Sequence, residues 1–340
     1  MDHIEFGRCG NIDGSAVLFW SSSAVEIMVK AESLSVEIEA DYNVFEIWAD
    51  FVIDGELSQR IMLREGLNTY QIFRGLDRLK AVKVRIIRDT QFMPEDDRSH
   101  MIIRGFDIDG EIVDPPKYDT TLEFIGDSIT SGEGCGLTNH EEWVPAVFDA
   151  VNAYPYLVAK AMNARYNVLS QSGWGVYSSW NGDTSCVLPD YYEKICGQAG
   201  SDKELQMGAH DDWNFEGMPV NAVIVNLGTN DVNARKLEIW SEDKYNELFM
   251  DKAVAFLSNI RKHNPDSLIV WAYGMLGKEI ESEIKEVIRR HKEKYGDDNV
   301  FYLPLDVCTE NLLGVRAHPN PKAHQKAAQK IVEFLKQHVS

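Results

Sequence analysis

Leu122-Glu123-Phe124-Ile125-Gly126-Asp127-Ser128-Ile129-Thr130-Ser131-Gly132-Glu133-Gly134 reads as a short apolar strand that runs into a tight, glycine-flanked turn carrying a serine. Open α/β sheets bind their ligands beyond the carboxyl ends of the strands, and that is where Ser128 falls. Its backbone N–H would point toward whatever the hydroxyl attacks. A serine hydroxyl becomes a nucleophile only beside a base, and the reaction also needs donors for a developing oxyanion.

Downstream of this stretch, strands alternate with helices. Thr121–Ile125, Tyr166–Ser170, Ala222–Leu227, Leu268–Tyr273 and Val300–Leu303 are expected strands, with helical patterns at Tyr154–Ala164, Glu242–Lys262, Ile280–Tyr295 and Lys322–Lys336. The continuous apolar runs Ala222-Val223-Ile224-Val225 and Leu268-Ile269-Val270-Trp271 suit parallel strands covered on both faces. This half is expected to be a three-layer α/β domain with a parallel sheet.

Upstream the period changes to two. Val25, Ile27 and Val29, then Leu34, Val36 and Ile38, alternate with more polar neighbours, and Asp54-Gly55 between two β-type runs predicts a hairpin. Several short strands without a convincing helix predict an antiparallel sandwich. Asp114-Pro115-Pro116-Lys117 marks the boundary, so residues 1–114 and 115–340 are expected as two domains. Trp180 to Pro219 fits neither texture. Its aromatic residues, among them Trp180, Tyr192, Trp213 and Phe215, predict an ordered insertion that walls a substrate cleft. Trp180 and Trp213 are its candidate substrate-binding residues.

The 340 residues carry 54 acidic and 34 basic side chains, a formal charge of −20. That argues against nucleic acid or an anionic membrane as partner and suits a neutral or cationic substrate. Met1 to Phe6 shows neither a basic nor an apolar leader region, no run is long enough for a membrane span, and the five cysteines lack metal-ligand spacing. A cytoplasmic protein with mostly unpaired thiols is expected. The edge strands of a small sandwich favour self-association into a homo-oligomer.

Three further stretches would converge on the sheet edge of Ser128 if the strands are parallel and adjacent: Ser170-Gln171-Ser172-Gly173-Trp174-Gly175, Asn226-Leu227-Gly228-Thr229-Asn230-Asp231 and Arg316-Ala317-His318-Pro319-Asn320. Histidine takes and returns a proton near neutral pH. Asp127 and Asp231 are expected to tie down loops through backbone N–H groups rather than to act chemically. His324 reads as a solvated helix residue, and His210-Asp211-Asp212 as a solvated loop rather than a metal site.

Gly126-Asp127-Ser128, a glycine after the second strand, Gly228-Thr229-Asn230-Asp231 and His318-Pro319-Asn320 occur in the order of the four blocks of the SGNH (GDSL-type) hydrolase superfamily, which residues 120–340 resemble over nearly their whole length. The β-rich region in front is similar to the layout of carbohydrate esterase family two, which includes acetyl xylan esterases. The resemblance implies an SGNH-type three-layer α/β/α hydrolase domain with a parallel sheet, preceded by an all-β, jelly-roll-like sandwich. It implies Ser128 as nucleophile and His318 as general base, without cofactor or metal. The oxyanion hole would comprise the Ser128 N–H, a glycine N–H after the second strand and the side-chain amide of Asn230. Gly173, which follows Ser172 as in the superfamily's Ser-Gly pair, is the preferred glycine, and Gly175 is its rival.

One departure matters. The superfamily usually has an aspartate three residues before the histidine, and this chain has Val315. A backbone carbonyl near Arg316 or Ala317 is the first expected partner for His318, giving a Ser-His dyad; Asp306 or Glu310 is the second. The expected activity is a serine esterase that removes O-acetyl groups from acetylated carbohydrate, xylan or its oligosaccharides, through an acetyl-enzyme. Without a secretion signal, short imported oligosaccharides suit it better than the polymer. The rivals are an esterase or lipase acting on another short-chain ester, and a non-catalytic carbohydrate-binding protein with a degenerate hydrolase domain. The missing aspartate favours the last, and the retained Ser128, Asn230 and His318 oppose it.

Overall fold

The computed structural model describes residues 3–93, 96, 98–136 and 138–339. Its N-terminal part is antiparallel: β1 (Ile4–Phe6), β2 (Gly10–Ile12), β3 (Ser15–Leu18), β4 (Ala24–Tyr42), β5 (Trp48–Ile53), β6 (Glu56–Met62), β7 (Gly66–Arg74), β8 (Val82–Arg88) and β9 (Ser99–Val113). The strand order is β2-β3-β9-β4-β8-β5-β6, with β1 and β7 also paired to β4. The two alternating runs of the sequence therefore lie in one long strand. Its inward residues change phase from Val25, Ile27 and Val29 to Leu34, Val36 and Ile38, all buried. A register shift between Ala31 and Leu34 accounts for this, because one extra residue swaps the faces of everything beyond it. The expected hairpin joins β5 to β6, and Asp54 (φ 50°) and Gly55 (φ 87°) both take the left-handed conformation that two-residue hairpin loops require.

The C-terminal part has five parallel strands, β10 (Thr121–Gly126), β11 (Arg165–Ser170), β12 (Ala222–Asn226), β13 (Leu268–Tyr273) and β14 (Val300–Pro304), in the order β11-β10-β12-β13-β14. The helices are α1 (Ser128–Ser131), α2 (Tyr154–Met162), α3 (Asp202–Gln206), α4 (Thr229–Arg235), α5 (Glu242–His263), α6 (Glu281–Tyr295) and α7 (Pro321–His338). Alternate strand residues divide between two cores. Phe124, Ile224 and Val270 meet α2 and α7, whereas Ile125, Val223 and Trp271 meet α5 and α6. That is the expected three-layer arrangement. The order reverses at β10, so the crevice beyond β10 and β12 is the topological switch point where such sheets place ligands.

The Trp180–Pro219 segment corrects an expectation. It is ordered, but much of it packs against the sandwich instead of walling a cleft. Trp20 donates from Nε1 to the Ile195 carbonyl at 2.7 Å, and Asn11 N–H donates to the Met207 carbonyl at 3.1 Å. Arg8, fully buried, pairs with Glu123 of β10 at 2.9 Å, and Tyr192 donates to the same carboxylate at 2.9 Å. All five cysteines are unpaired. Among the described residues, no helix is long and apolar enough to cross a membrane.

Candidate active site

Ser128 is the first residue of α1, directly beyond β10. Asp127 caps that helix, its side chain accepting the Ile129 N–H at 3.0 Å. As the opening residue of a helix, Ser128 has a backbone N–H with no intrahelical partner. Its side chain is nearly buried, and its Oγ lies 2.8 Å from His318 Nε2. His318 arrives on the loop before α7, where Asn320 caps the helix through the N–H groups of Lys322 and Ala323. The loop can approach because residue 134 is glycine: a Cβ there would stand 2.5 Å from the His318 Cβ, and its φ is 90°.

The other imidazole nitrogen, Nδ1, lies 2.8 Å from the carbonyl oxygen of Arg316. This is the first of the two arrangements expected for a chain with Val315. Asp306 instead pairs with Lys330 at 3.1 Å, and Glu310 is exposed in a separate short 3-10 turn. The carbonyl is turned toward the ring by two consecutive left-handed residues, Arg316 (φ 57°) and Ala317 (φ 54°), a conformation unfavourable to residues with a Cβ. Backbone strain of this kind clusters at functional sites.

Asn230, in the first turn of α4, donates from Nδ2 to the Trp174 carbonyl at 2.9 Å and stands 3.4 Å from Asp127 Oδ2. The Trp174 carbonyl and the Gly175 N–H belong to one trans peptide and point in opposite directions, so the Gly175 N–H faces away from Asn230. Gly173 has φ 80°, and a Cβ on it would stand 2.8 Å from the ring of Trp180; the backbone N–H of Trp180 donates to the Gly173 carbonyl at 2.8 Å. Trp180 is thus beside the candidate oxyanion loop, with 58% of its surface exposed. Trp213 is elsewhere. Its ring lies over the buried Arg8 guanidinium at 5.5 Å, at the level of Glu123 rather than at the strand end that carries Ser128.

The two aspartates do what loop-tying residues do. Asp231 accepts the N–H groups of Val176 (2.9 Å), Tyr177 (2.8 Å) and Ser178 (3.3 Å) and holds the segment after β11. Burial pushes the Asp127 carboxyl up to about 7 and raises that of Asp231 as well. His324 corrects another expectation. It is buried, not solvated: its Nδ1 accepts the Tyr154 N–H at 3.1 Å, and burial depresses its pKa to about 3, which keeps the ring neutral. His210, Asp211 and Asp212 are exposed, as expected.

Two residues of the site were not singled out from the sequence. Glu133, five positions past the serine, is buried and accepts the Ser172 Oγ–H at 2.7 Å. Gln91, from the sandwich, accepts the Ser172 N–H at 2.9 Å. No spacing rule connects either to a serine-bearing turn; only the buried position of Glu133 among three loops reveals it. Among the described residues, the one trio of acidic, His or Cys side chains close enough to share an ion is Asp50, Asp89 and Asp149. Arg60 already supplies positive charge there, 2.7 Å from Asp89.

Comparisons with known proteins bear on the fold and the family. An acetyl xylan esterase, Est2A, from the rumen bacterium Butyrivibrio proteoclasticus superposes with a TM-score of 0.95 at 34% identity, covering 99% of this chain and 95% of that one. Cellulase/esterase CelE of Acetivibrio thermocellus is 24% identical over 326 residues, which span 93% of this chain but only 37% of that protein. An acetylxylan esterase / glucomannan deacetylase of Cellvibrio japonicus is 21% identical over 345 residues, 96% of this chain and 86% of the relative. Residues 122–331, the stretch that holds the serine turn, β10–β14 and the histidine loop, match the family model of GDSL-like lipases and acylhydrolases. The chain belongs to that family and is a carboxylic ester hydrolase.

Proposed function

We propose that this protein removes O-acetyl groups from acetylated carbohydrate, xylan or its oligosaccharides, through an acetyl-enzyme on Ser128. The observation that carries the reading is the relay from Ser128 Oγ through the imidazole of His318 to the Arg316 carbonyl, 2.8 Å at each step. The carbohydrate ester as substrate is supported by the likeness, over nearly the whole chain, to an acetyl xylan esterase at 34% identity.

In this reading His318 Nε2 takes the proton of Ser128 as Oγ attacks the acetyl carbonyl. The Nδ1–H bond to Arg316 fixes the tautomer, which leaves Nε2 free to accept. The oxyanion is held by the N–H of Ser128, the N–H of Gly173 and the amide of Asn230. Gly173 is preferred over Gly175 because the Gly175 N–H faces away from Asn230. The imidazolium protonates the departing sugar oxygen, and the C–O bond to the sugar breaks. Water, deprotonated by His318, then attacks the acetyl-enzyme, and acetate leaves as Ser128 recovers its proton. Trp180, exposed beside Gly173, offers its ring to the sugar.

Acetate release from acetylated xylo-oligosaccharides by the wild type and by Ser128→Ala, with an octanoyl ester as control, tests the proposal. Release by the wild type alone, with the octanoyl ester poorly cleaved, is expected. Faster cleavage of the octanoyl ester would contradict the deacetylase reading.

A further inference from the structure

Glu133 is nearly fully buried at the centre of three loops. One carboxylate oxygen pairs with Arg316 Nη1 at 2.9 Å. The other accepts the Ser172 Oγ–H at 2.7 Å and lies 3.8 Å from His318 Nε2. That last separation is too long for a hydrogen bond, so Nε2 stays with Ser128 Oγ, yet short enough for strong Coulomb attraction out of water. The contacts link the residue whose carbonyl receives His318 Nδ1, the residue before Gly173, and the imidazole.

A carbonyl at Nδ1 orients the ring but brings only a dipole to the imidazolium that forms when Ser128 gives up its proton. A carboxylate there would bring a full charge, and Val315 cannot supply it. We propose that Glu133 is a positioning residue of the hydrolysis: it holds the Arg316 and Ser172 loops in register and supplies, from the Nε2 side, the negative charge that the chain lacks at position 315. This rests on the Ser128–His318 reading above. The proton moves only from Ser128 to His318.

The other groups facing His318 are few. Arg316, on its own loop, opposes the imidazolium and is 39% exposed at its side chain. His324 on α7 is kept neutral by burial, and Asp127 at the start of α1, next to Ser128, has its carboxyl pushed up to about 7 by burial. Glu133 and Arg316 therefore pull the histidine in opposite directions.

The test compares kcat, KM and the kcat/KM–pH profile on an aryl acetate for the wild type, Glu133→Gln, Glu133→Asp and Arg316→Gln, with thermal melts to verify folding. For Glu133→Gln the expected result is a fall in kcat of about 10- to 100-fold with KM within about twofold. Its acidic limb should move to lower pH, because an imidazolium without the carboxylate gives up its proton more readily. Glu133→Asp should recover part of kcat. Arg316→Gln keeps the backbone carbonyl and should move the limb the other way, to higher pH. A folded Glu133→Gln with unchanged kcat and limb would overturn the assignment. If that variant does not fold, Arg316→Gln decides, and an unmoved limb or one moved to lower pH overturns the proposal. A wild type without esterase activity would overturn the Ser128–His318 reading itself, and this assignment with it.

Discussion

The carbonyl oxygen of Arg316 stands 2.8 Å from His318 Nδ1, and Arg316 holds it there from a left-handed conformation. The histidine is thus oriented by main chain. The strain is offset by contacts on both sides, the Arg316–Glu133 ion pair and the 2.7 Å bond from Gly314 N–H to the His318 carbonyl.

Restoring an aspartate at position 315 should therefore not improve the enzyme. Nδ1 is already bonded, and Val315 packs partly buried against the Met93–Val147–Phe148 cluster. Val315→Asp should leave kcat within about threefold or lower it, and cost ~1 kcal/mol in urea unfolding by placing a carboxyl against that partly buried apolar contact. A tenfold gain in kcat would contradict the account.

Asn230→Ala removes one proposed oxyanion donor while Ser128 and His318 keep their bond. A loss of ~10²–10³ in kcat with little change in KM is expected from steady-state kinetics. A loss confined to KM would mean that the amide binds the ground state instead.

The two tryptophans should separate cleanly. Trp180→Ala should raise KM for an acetylated oligosaccharide at least about fivefold and leave an aryl acetate unaffected, since only the sugar reaches an exposed ring. Trp213→Ala removes the cover of the buried Arg8–Glu123 pair. Its effect should be a lower Tm with KM unchanged on both substrates.

Asp50 is fully buried beside Asp89 and Asp149. Burial and these neighbours raise its pKa well above the usual range, and burial first, then Asp89, push Asp149 up to about 6. A raised carboxyl contributes its full stability below the unfolded value near 4 and loses it as pH rises through the folded value. The gain from Asp50→Asn should thus be close to zero at pH 4 and grow to ~1–3 kcal/mol at pH 8, measured by urea unfolding. An equal gain at both pH values would contradict it.

The parallel half was legible because periodicity and length agree there: every expected strand falls within two residues of an observed one, as Leu268–Tyr273 does without error. Ser128 and Asn230 could be singled out because each lies in the first turn of a helix directly beyond a strand, and His318 because it lies on the loop just before the last helix. What escaped depends on contacts distant in sequence. Trp213 and Trp180 have the same local texture, and only packing against Arg8 distinguishes them. His324 lies on a helix whose pattern does not reveal that Tyr154 covers it, and Glu133 resembles any acidic loop residue until Arg316 and Ser172 meet it.

Gln91 belongs to the chain before the two prolines, yet its side-chain oxygen receives the N–H of Ser172, one residue from Gly173. The prolines at 115 and 116 look like a seam at which evolution or an engineer could cut and recombine. Transplanted alone, the second half would carry its strands and its serine but leave behind the side chain that receives the Ser172 N–H. A chimera that exchanges the sandwich must therefore bring a replacement for Gln91.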